Sequence, residues 1–95
     1  MTSIADFRAY ALVKCFEKGV NDYARRIYSA YCTQNWNNYS QLRFQLSNRL
    51  NHYTRILETS KNPRPDLFEL YSICFNTYLD LWNYLNKEEK NDNNR

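Results

Sequence analysis

Apolar residues recur every three to four positions through most of this chain, which is the spacing of α-helices with a buried face. The first such segment opens with Ser3 followed by Asp6, a pairing typical of a helix N-terminal capping box. The pattern then continues without a proline and predicts one helix over about residues 3–31. The positions expected to face the core are Ala5, Ala9, Leu12, Phe16, Val20, Tyr23, Ile27 and Ala30.

A second line of apolar residues lies on another side of the first half of this predicted helix. It consists of Ile4, Phe7, Ala11 and Cys15. One neighbouring helix cannot cover two sides, so this half of the helix is expected to contact more than one partner.

A second helix is predicted over about residues 39–60. The polar segment before it offers N-cap candidates at Asn37, Asn38 and Ser40. Pro63 ends the helix, because the residue before a proline is displaced from helical backbone angles. The residues expected to face inward are Tyr39, Leu42, Leu46, Leu50, Tyr53 and Leu57.

A third helix is predicted over about residues 66–87, with Pro65 or Asp66 at its start. Between residues 67 and 85, 13 of 19 side chains are apolar or aromatic. The other two helices of the chain cannot cover so wide an apolar surface. We therefore expect this helix and the first half of helix one to pack on a second copy of the chain. Its narrow polar line is Glu69, Ser72, Asn76, Asp80 and Asn83.

Together these segments predict an all-α fold, a helical hairpin plus a third helix, packed as a homodimeric bundle. Residues 1–88 form a single helical domain and residues 89–95 a flexible polar tail. The single glycine, the two prolines and the 17% of aromatic residues favour long helices and argue against disorder.

The residue types needed for catalysis or metal binding are scarce. There is no glycine-rich phosphate loop, and the sole histidine, His52, has no carboxylate or cysteine at ligand spacing. Cys15, Cys32 and Cys74 lack the flanking basic pair that activates a thiol, and they show no metal spacing. The sequence therefore predicts a protein that is not an enzyme and has no metal, cofactor or small-molecule substrate.

The cysteine usage and the apolar runs also bear on location. Three cysteines cannot pair completely, and no apolar run resembles a signal peptide or reaches the 18 or more uncharged residues of a membrane span. We expect a cytoplasmic protein, in the host cell if the chain is viral, without a membrane partner.

The distribution of charge is more informative than the net charge of +3. No acidic residue lies between Asp22 and Glu58, whereas residues 23–64 contain seven basic residues. Opposite the leucines of helix two, a polar face carries Arg43, Ser47, Asn48, Asn51 and Arg55. Such a face suits a sugar-phosphate backbone, since acids would repel phosphates. The alternative is an ordinary solvated face of an acid-poor sequence.

Helix geometry favours one class of nucleic acid. Helix-turn-helix proteins use shorter helices and a tight turn, and single-strand binders expose several aromatics, for which only Phe44 and Trp36 are candidates here. A long helical dimer laid along double-stranded RNA would read its shape and backbone.

A family resemblance points the same way. The segment LSNRLNHYTRILETSKNPRPDLFEL, residues 46–70, resembles the second helix, proline-containing turn and third helix of nodaviral suppressors of RNA silencing. The matching features are Leu46, Leu50, the run 54–57, Lys61 and Pro63. The resemblance implies a small helical dimer that binds double-stranded RNA without sequence preference and shields it from silencing. The family's helix-two surface is richer in lysine than this one, and Arg55 is the first contact that the resemblance carries over.

Two functions are therefore weighed. The first is double-stranded RNA binding by a homodimer, through the helix-two face and through basic residues elsewhere. The candidate contacts are Arg43, Ser47, Asn48, Asn51, Arg55, Lys18, Arg25, Lys61 and Arg64. The second is a small protein-binding module, a viral or phage inhibitor or adaptor, that docks a partner through helix three.

Overall fold

A computed structural model describes residues 3–59 and 64–87 of the chain, and the regular structure within these ranges is helical. The helices are α1 (Ile4–Phe16), α2 (Asp22–Thr33), α3 (Tyr39–Thr59) and α4 (Pro65–Leu85). The predicted all-α class is confirmed. The predicted tail 89–95 and the candidate Lys61 lie outside the described ranges.

The predicted single helix over residues 3–31 is wrong, because the chain breaks between α1 and α2. Gly19 has a φ of 89°, a conformation that favours glycine. Asn21 then caps α2, since its side chain accepts a hydrogen bond from the Tyr23 amide at 2.9 Å. A glycine followed two residues later by a strong N-cap residue thus outweighs the continuous apolar period across this stretch.

Of the two apolar sides predicted for α1, only one is buried within the chain. Phe7 and Ala11, from the second apolar line, are fully buried. Leu12 and Phe16, expected to face the core, are 49% and 79% exposed. The turn between the two helices lets α1 rotate independently of α2, so one phase cannot be extrapolated across it.

The N-terminus of α3 is capped by Asn38, one of the predicted N-cap candidates. Asn38 accepts a hydrogen bond from the Gln41 amide at 2.7 Å, and the Gln41 side chain accepts one from the Asn37 amide at 2.8 Å. These reciprocal bonds satisfy two amides at the helix start. Leu42 and Leu46 are fully buried, so the predicted inward face of this helix is confirmed at its centre.

The central element is α4, which contacts each of the other three helices and packs most extensively on α3. Its buried residues are Cys74, Thr77, Tyr78, Leu81 and Leu85. Because the break in the predicted first helix supplies an additional neighbour, helices of the same chain cover most of α4. The wide apolar surface of α4 therefore does not by itself require a second copy.

Aromatic rings fill the space between α1, α2 and α4. The Tyr31 ring contacts Phe7, Trp36 and Tyr78, with ring centroids 5.3 to 6.2 Å apart. The Trp36 indole donates a hydrogen bond to the Tyr31 carbonyl at 3.4 Å and is buried. Trp36 therefore belongs to the core and is not available as a surface for stacking bases.

A half-buried polar cluster ties α1 and α2 to α4. The Asp80 carboxylate accepts hydrogen bonds from the Tyr10 hydroxyl at 2.8 Å and from the Tyr28 hydroxyl at 2.7 Å. The Tyr10 ring stacks on Tyr84 with centroids 4.0 Å apart. Asp80 belongs to the narrow polar line predicted for this helix, and phenols from two other helices contact its carboxylate.

These tyrosines predict a loss of stability at alkaline pH. Burial, and then the hydrogen bond and charge of Asp80, raise the pKa of Tyr10 and Tyr28, and burial raises the pKa of Tyr53 to about 12. A tyrosine whose pKa is raised in the folded state contributes stability below its unfolded pKa of about 10. This contribution is lost as the pH rises from about 10 toward the folded pKa. We expect urea unfolding to show constant stability near neutrality and a decline above about pH 10. A Tyr53→Phe variant should lose stability less steeply between about pH 10 and 12, and an equally steep decline would contradict the assignment.

Candidate nucleic-acid interface

The structure places five of the predicted contact residues on one side of α3. Arg43, Asn48, Asn51 and Arg55 are exposed and Ser47 is half-buried. Arg43 and Arg55 are separated by twelve residues, which corresponds to about 18 Å along a helix axis. The opposite side of α3 is held by Leu42 and Leu46 against the core, so this polar surface rests on a fixed helix. We call these five residues the α3 polar face.

Arg43 is positioned by a contact with the neighbouring helix. Its guanidinium carbon lies 5.4 Å from the centroid of the Trp82 ring on α4. Such an interaction uses the flat face of the guanidinium, whereas its hydrogen-bond donors lie in the plane. Trp82 therefore holds the Arg43 side chain close to α4. Sequence reasoning missed this partner, since no local pattern links residues 39 positions apart.

None of the five residues of the α3 polar face is acidic. Ion pairs elsewhere in the described ranges include Lys14–Glu17 at 2.9 Å, Arg25–Asp22 at 3.4 Å and Arg64–Asp66 at 3.4 Å. Within those ranges Arg55 has no such pair. An acid-free helix face of this kind presents positive charge and amide groups to solvent, as an anionic backbone requires.

Arg49 belongs to a different side of α3. Its positive charge favours the ionised forms of Tyr31, Tyr53 and Tyr78, which lowers their pKa against the larger raising effect of burial. Arg49 is exposed, and its charge acts on these core tyrosines from a side of α3 other than the α3 polar face.

The candidates in helix one do not join the α3 polar face. Lys18 and Arg25 lie in the α1–α2 hairpin, which packs on α4. The Arg25 side chain donates hydrogen bonds to the carbonyls of Cys15 at 3.0 Å and Val20 at 3.3 Å. Arg25 therefore stabilises the turn between the two helices, a role that the sequence pattern did not indicate. Lys18 is exposed in the same turn.

The remaining described candidate, Arg64, is the N-cap residue of α4. It is exposed, and it pairs with Asp66 in the first turn of that helix. Because Asp66 already pairs with its charge, Arg64 adds little to the basic surface of α3.

Phe44 is an additional exposed residue next to the α3 polar face. Its side chain is 67% exposed, beside Arg43 in the sequence and one turn before Asn48. The sequence identified it as an exception among the core aromatics. With Trp36 buried, Phe44 is a single apolar group and does not form the series of stacking surfaces typical of single-strand binders.

Other kinds of site find little support in the described ranges. No group of three or more histidine, cysteine, aspartate or glutamate residues there could hold a metal ion. None of the four described helices combines the length and apolar character needed to cross a bilayer.

Comparison with known proteins assigns no family to the chain. The resemblance to nodaviral suppressors over residues 46–70 therefore stays a prediction. No protein-family model, no curated protein and no solved structure matches this sequence.

Proposed function

We propose that this chain binds double-stranded RNA without sequence preference as a homodimer and acts as a viral suppressor of RNA silencing by shielding that RNA. The observation that carries the proposal is the α3 polar face, where Arg43 and Arg55 flank amide and hydroxyl side chains with no acid among them. Arginine can form bidentate hydrogen bonds with phosphate oxygens, and asparagine and serine can hydrogen-bond ribose hydroxyls.

The shape of this surface favours a duplex. The 21 residues of α3 correspond to a rod of about 31 Å, which can follow a helical backbone but cannot enter the narrow major groove of RNA. Recognition would therefore use phosphates and 2′-hydroxyls across the shallow minor groove. Contacts of this kind carry no base information, so binding is expected to be independent of sequence.

A second copy would double the number of basic contacts. Two α3 polar faces on one particle would engage one duplex together, and the second contact would gain from a raised effective concentration. The homodimer is therefore expected to bind duplex RNA more tightly than one chain alone.

An electrophoretic shift with duplex RNA, duplex DNA and single-stranded RNA of equal length tests the function. We expect the tightest binding to duplex RNA, with affinity falling as salt rises because released counterions drive the association. Equally weak binding to all three would reduce the α3 polar face to a solvated surface.

The protein-binding alternative has less surface available than the sequence suggested. On α4, Cys74, Tyr78 and Leu81 are already buried by the same chain, whereas Leu67 and Phe68 at its start are exposed. A docking partner would have to contact that end of the helix. Loss of partner binding in Phe68→Asp, with RNA binding absent throughout, would favour this second function.

A further inference from the structure

The largest exposed apolar side chains of α1 lie together on its outer surface. Leu12, Val13 and Phe16 are 49%, 64% and 79% exposed, and the neighbouring Ala5 and Ala9 are also exposed. Isolated apolar residues on a surface are normal, but several on adjoining turns of one helix mark a contact surface. We call Ala5, Ala9, Leu12 and Phe16 the α1 stripe.

The two halves of the α1 stripe have opposite shapes. Its N-terminal half carries only the methyl groups of Ala5 and Ala9, and a shallow depression there is lined by these residues together with Arg8, Leu12 and Cys32. Its C-terminal half carries the protruding Leu12 and Phe16. Small residues four apart allow another helix to approach closely, while large residues supply the groups that fill such a gap.

The spacing of these residues is symmetric about the middle of α1. Phe16 lies as far beyond the point between residues 10 and 11 as Ala5 lies before it, and Leu12 and Ala9 are related in the same way. A two-fold axis at this point would place each large residue of one chain opposite a small residue of the other, in both directions.

We propose that the α1 stripe is the interface with a second copy of this chain, in which the two α1 helices run antiparallel across a two-fold axis. Phe16 of each chain fills the depression at Ala5 of the other, and Leu12 packs on Ala9. Self-complementarity of the surface selects this occupant, because a different partner would not require the symmetric spacing. The α3 polar faces of both chains stay uncovered.

This interface names the surface that joins the homodimer of the proposed function and rests on that part of it, but it needs no RNA. One short helix from each chain buries an area at the low end for specific complexes, so the dimer is expected to be concentration-dependent. Of the expected packing of a second copy on helix three and the first half of helix one, the inference keeps the part on helix one, since helices of the same chain cover most of α4.

Light scattering on a size-exclusion column, over a dilution series without RNA, tests the interface. The wild type should shift from the 11.6 kDa of one chain toward twice that mass as concentration rises. Phe16→Asp should raise the dimer dissociation constant by about tenfold or more, because the ring that fills the depression is lost and a charged group must be desolvated in its place. Phe44→Asp is the matched control, a similarly exposed phenylalanine on α3, and should leave the dimer unchanged.

A mixing experiment tests the antiparallel register. Ala5→Phe places two large groups opposite each other, and Phe16→Ala leaves a gap, so each variant alone should dimerise less than the wild type. Mixed together, the two variants should form a heterodimer, because every large residue then meets a small one. Circular dichroism confirms that each exposed substitution leaves the helices folded.

Three results would overturn the inference: a wild type that stays monomeric at every concentration, equal dissociation by Phe44→Asp and Phe16→Asp, or no recovery on mixing. The RNA experiment is separate from these. A dimer that fails to bind duplex RNA removes the RNA-binding function and leaves the interface, whereas a monomer that binds it removes the interface and the homodimer and leaves RNA binding.

Discussion

Replacing Arg43 and Arg55 together by alanine is expected to weaken binding to double-stranded RNA by about 100-fold or more, with no loss of folding. Hydrogen bonds to charged groups contribute roughly 1.5–3 kcal/mol each when buried, and exposure to solvent reduces this to about 0.2–1 kcal/mol. Two such contacts per chain, present in both copies, account for the expected change. Electrophoretic shifts at several salt concentrations measure it, and the dependence on salt should become shallower because fewer phosphates are neutralised.

The matched control removes the same charge from other surfaces of the molecule. Arg26 lies on α2 with its guanidinium 6.0 Å from the centroid of the Tyr23 ring, and Arg49 is exposed on a different side of α3. Arg26→Ala with Arg49→Ala should reduce affinity only slightly, through net charge. If both double variants weakened binding equally, the effect would be general electrostatics and the α3 polar face would have no special role.

Interactions between residues close in the sequence explain why the start and the buried face of α3 could be predicted. Its start is determined by the side chains of Asn38 and Gln41, a few residues apart, and its buried face by a leucine spacing within one helix. The polar face is the complement of that leucine face. Where the signals lie within one or two turns of each other, the period alone places candidate contacts on a common surface.

The errors arose where distant parts of the chain decide the structure. The period of α1 and α2 is continuous in the sequence, but Gly19 and Asn21 end one helix and begin another, after which each rotates to suit its own neighbours. The Tyr10 and Asp80 side chains that fix this rotation are 70 residues apart. No local pattern indicates such a contact, so the sequence places Asp80 on a polar line of its helix but does not predict its tyrosine partners.

The fold gives the α3 polar face a rigid support. Leu42 and Leu46 anchor α3 against the core, and Trp82 on α4 positions the Arg43 side chain. A surface held in place before binding loses less conformational entropy when the ligand arrives. The central position of α4 therefore connects the core to the proposed RNA contacts and, through the Asp80 cluster, to the orientation of α1.

The Asp80 cluster is expected to make one of the largest single contributions to stability, and Asp80→Ala should lower the free energy of unfolding by about 3 kcal/mol. The change leaves the Tyr10 and Tyr28 hydroxyls without their acceptor in a half-buried space, and a lost bond to a charged group costs roughly 1.5–3 kcal/mol. Urea unfolding followed by circular dichroism measures the loss.

Asp80→Asn retains an acceptor oxygen and should lose less stability. Asp66→Ala, on the exposed first turn of the same helix, should change stability by about 1 kcal/mol or less. Adding Tyr10→Phe and Tyr28→Phe to Asp80→Ala should cost little more, because the bonds are already broken. Fully additive losses would show that the tyrosines and Asp80 stabilise the fold independently, and that this cluster does not fix α1 and α2 on α4.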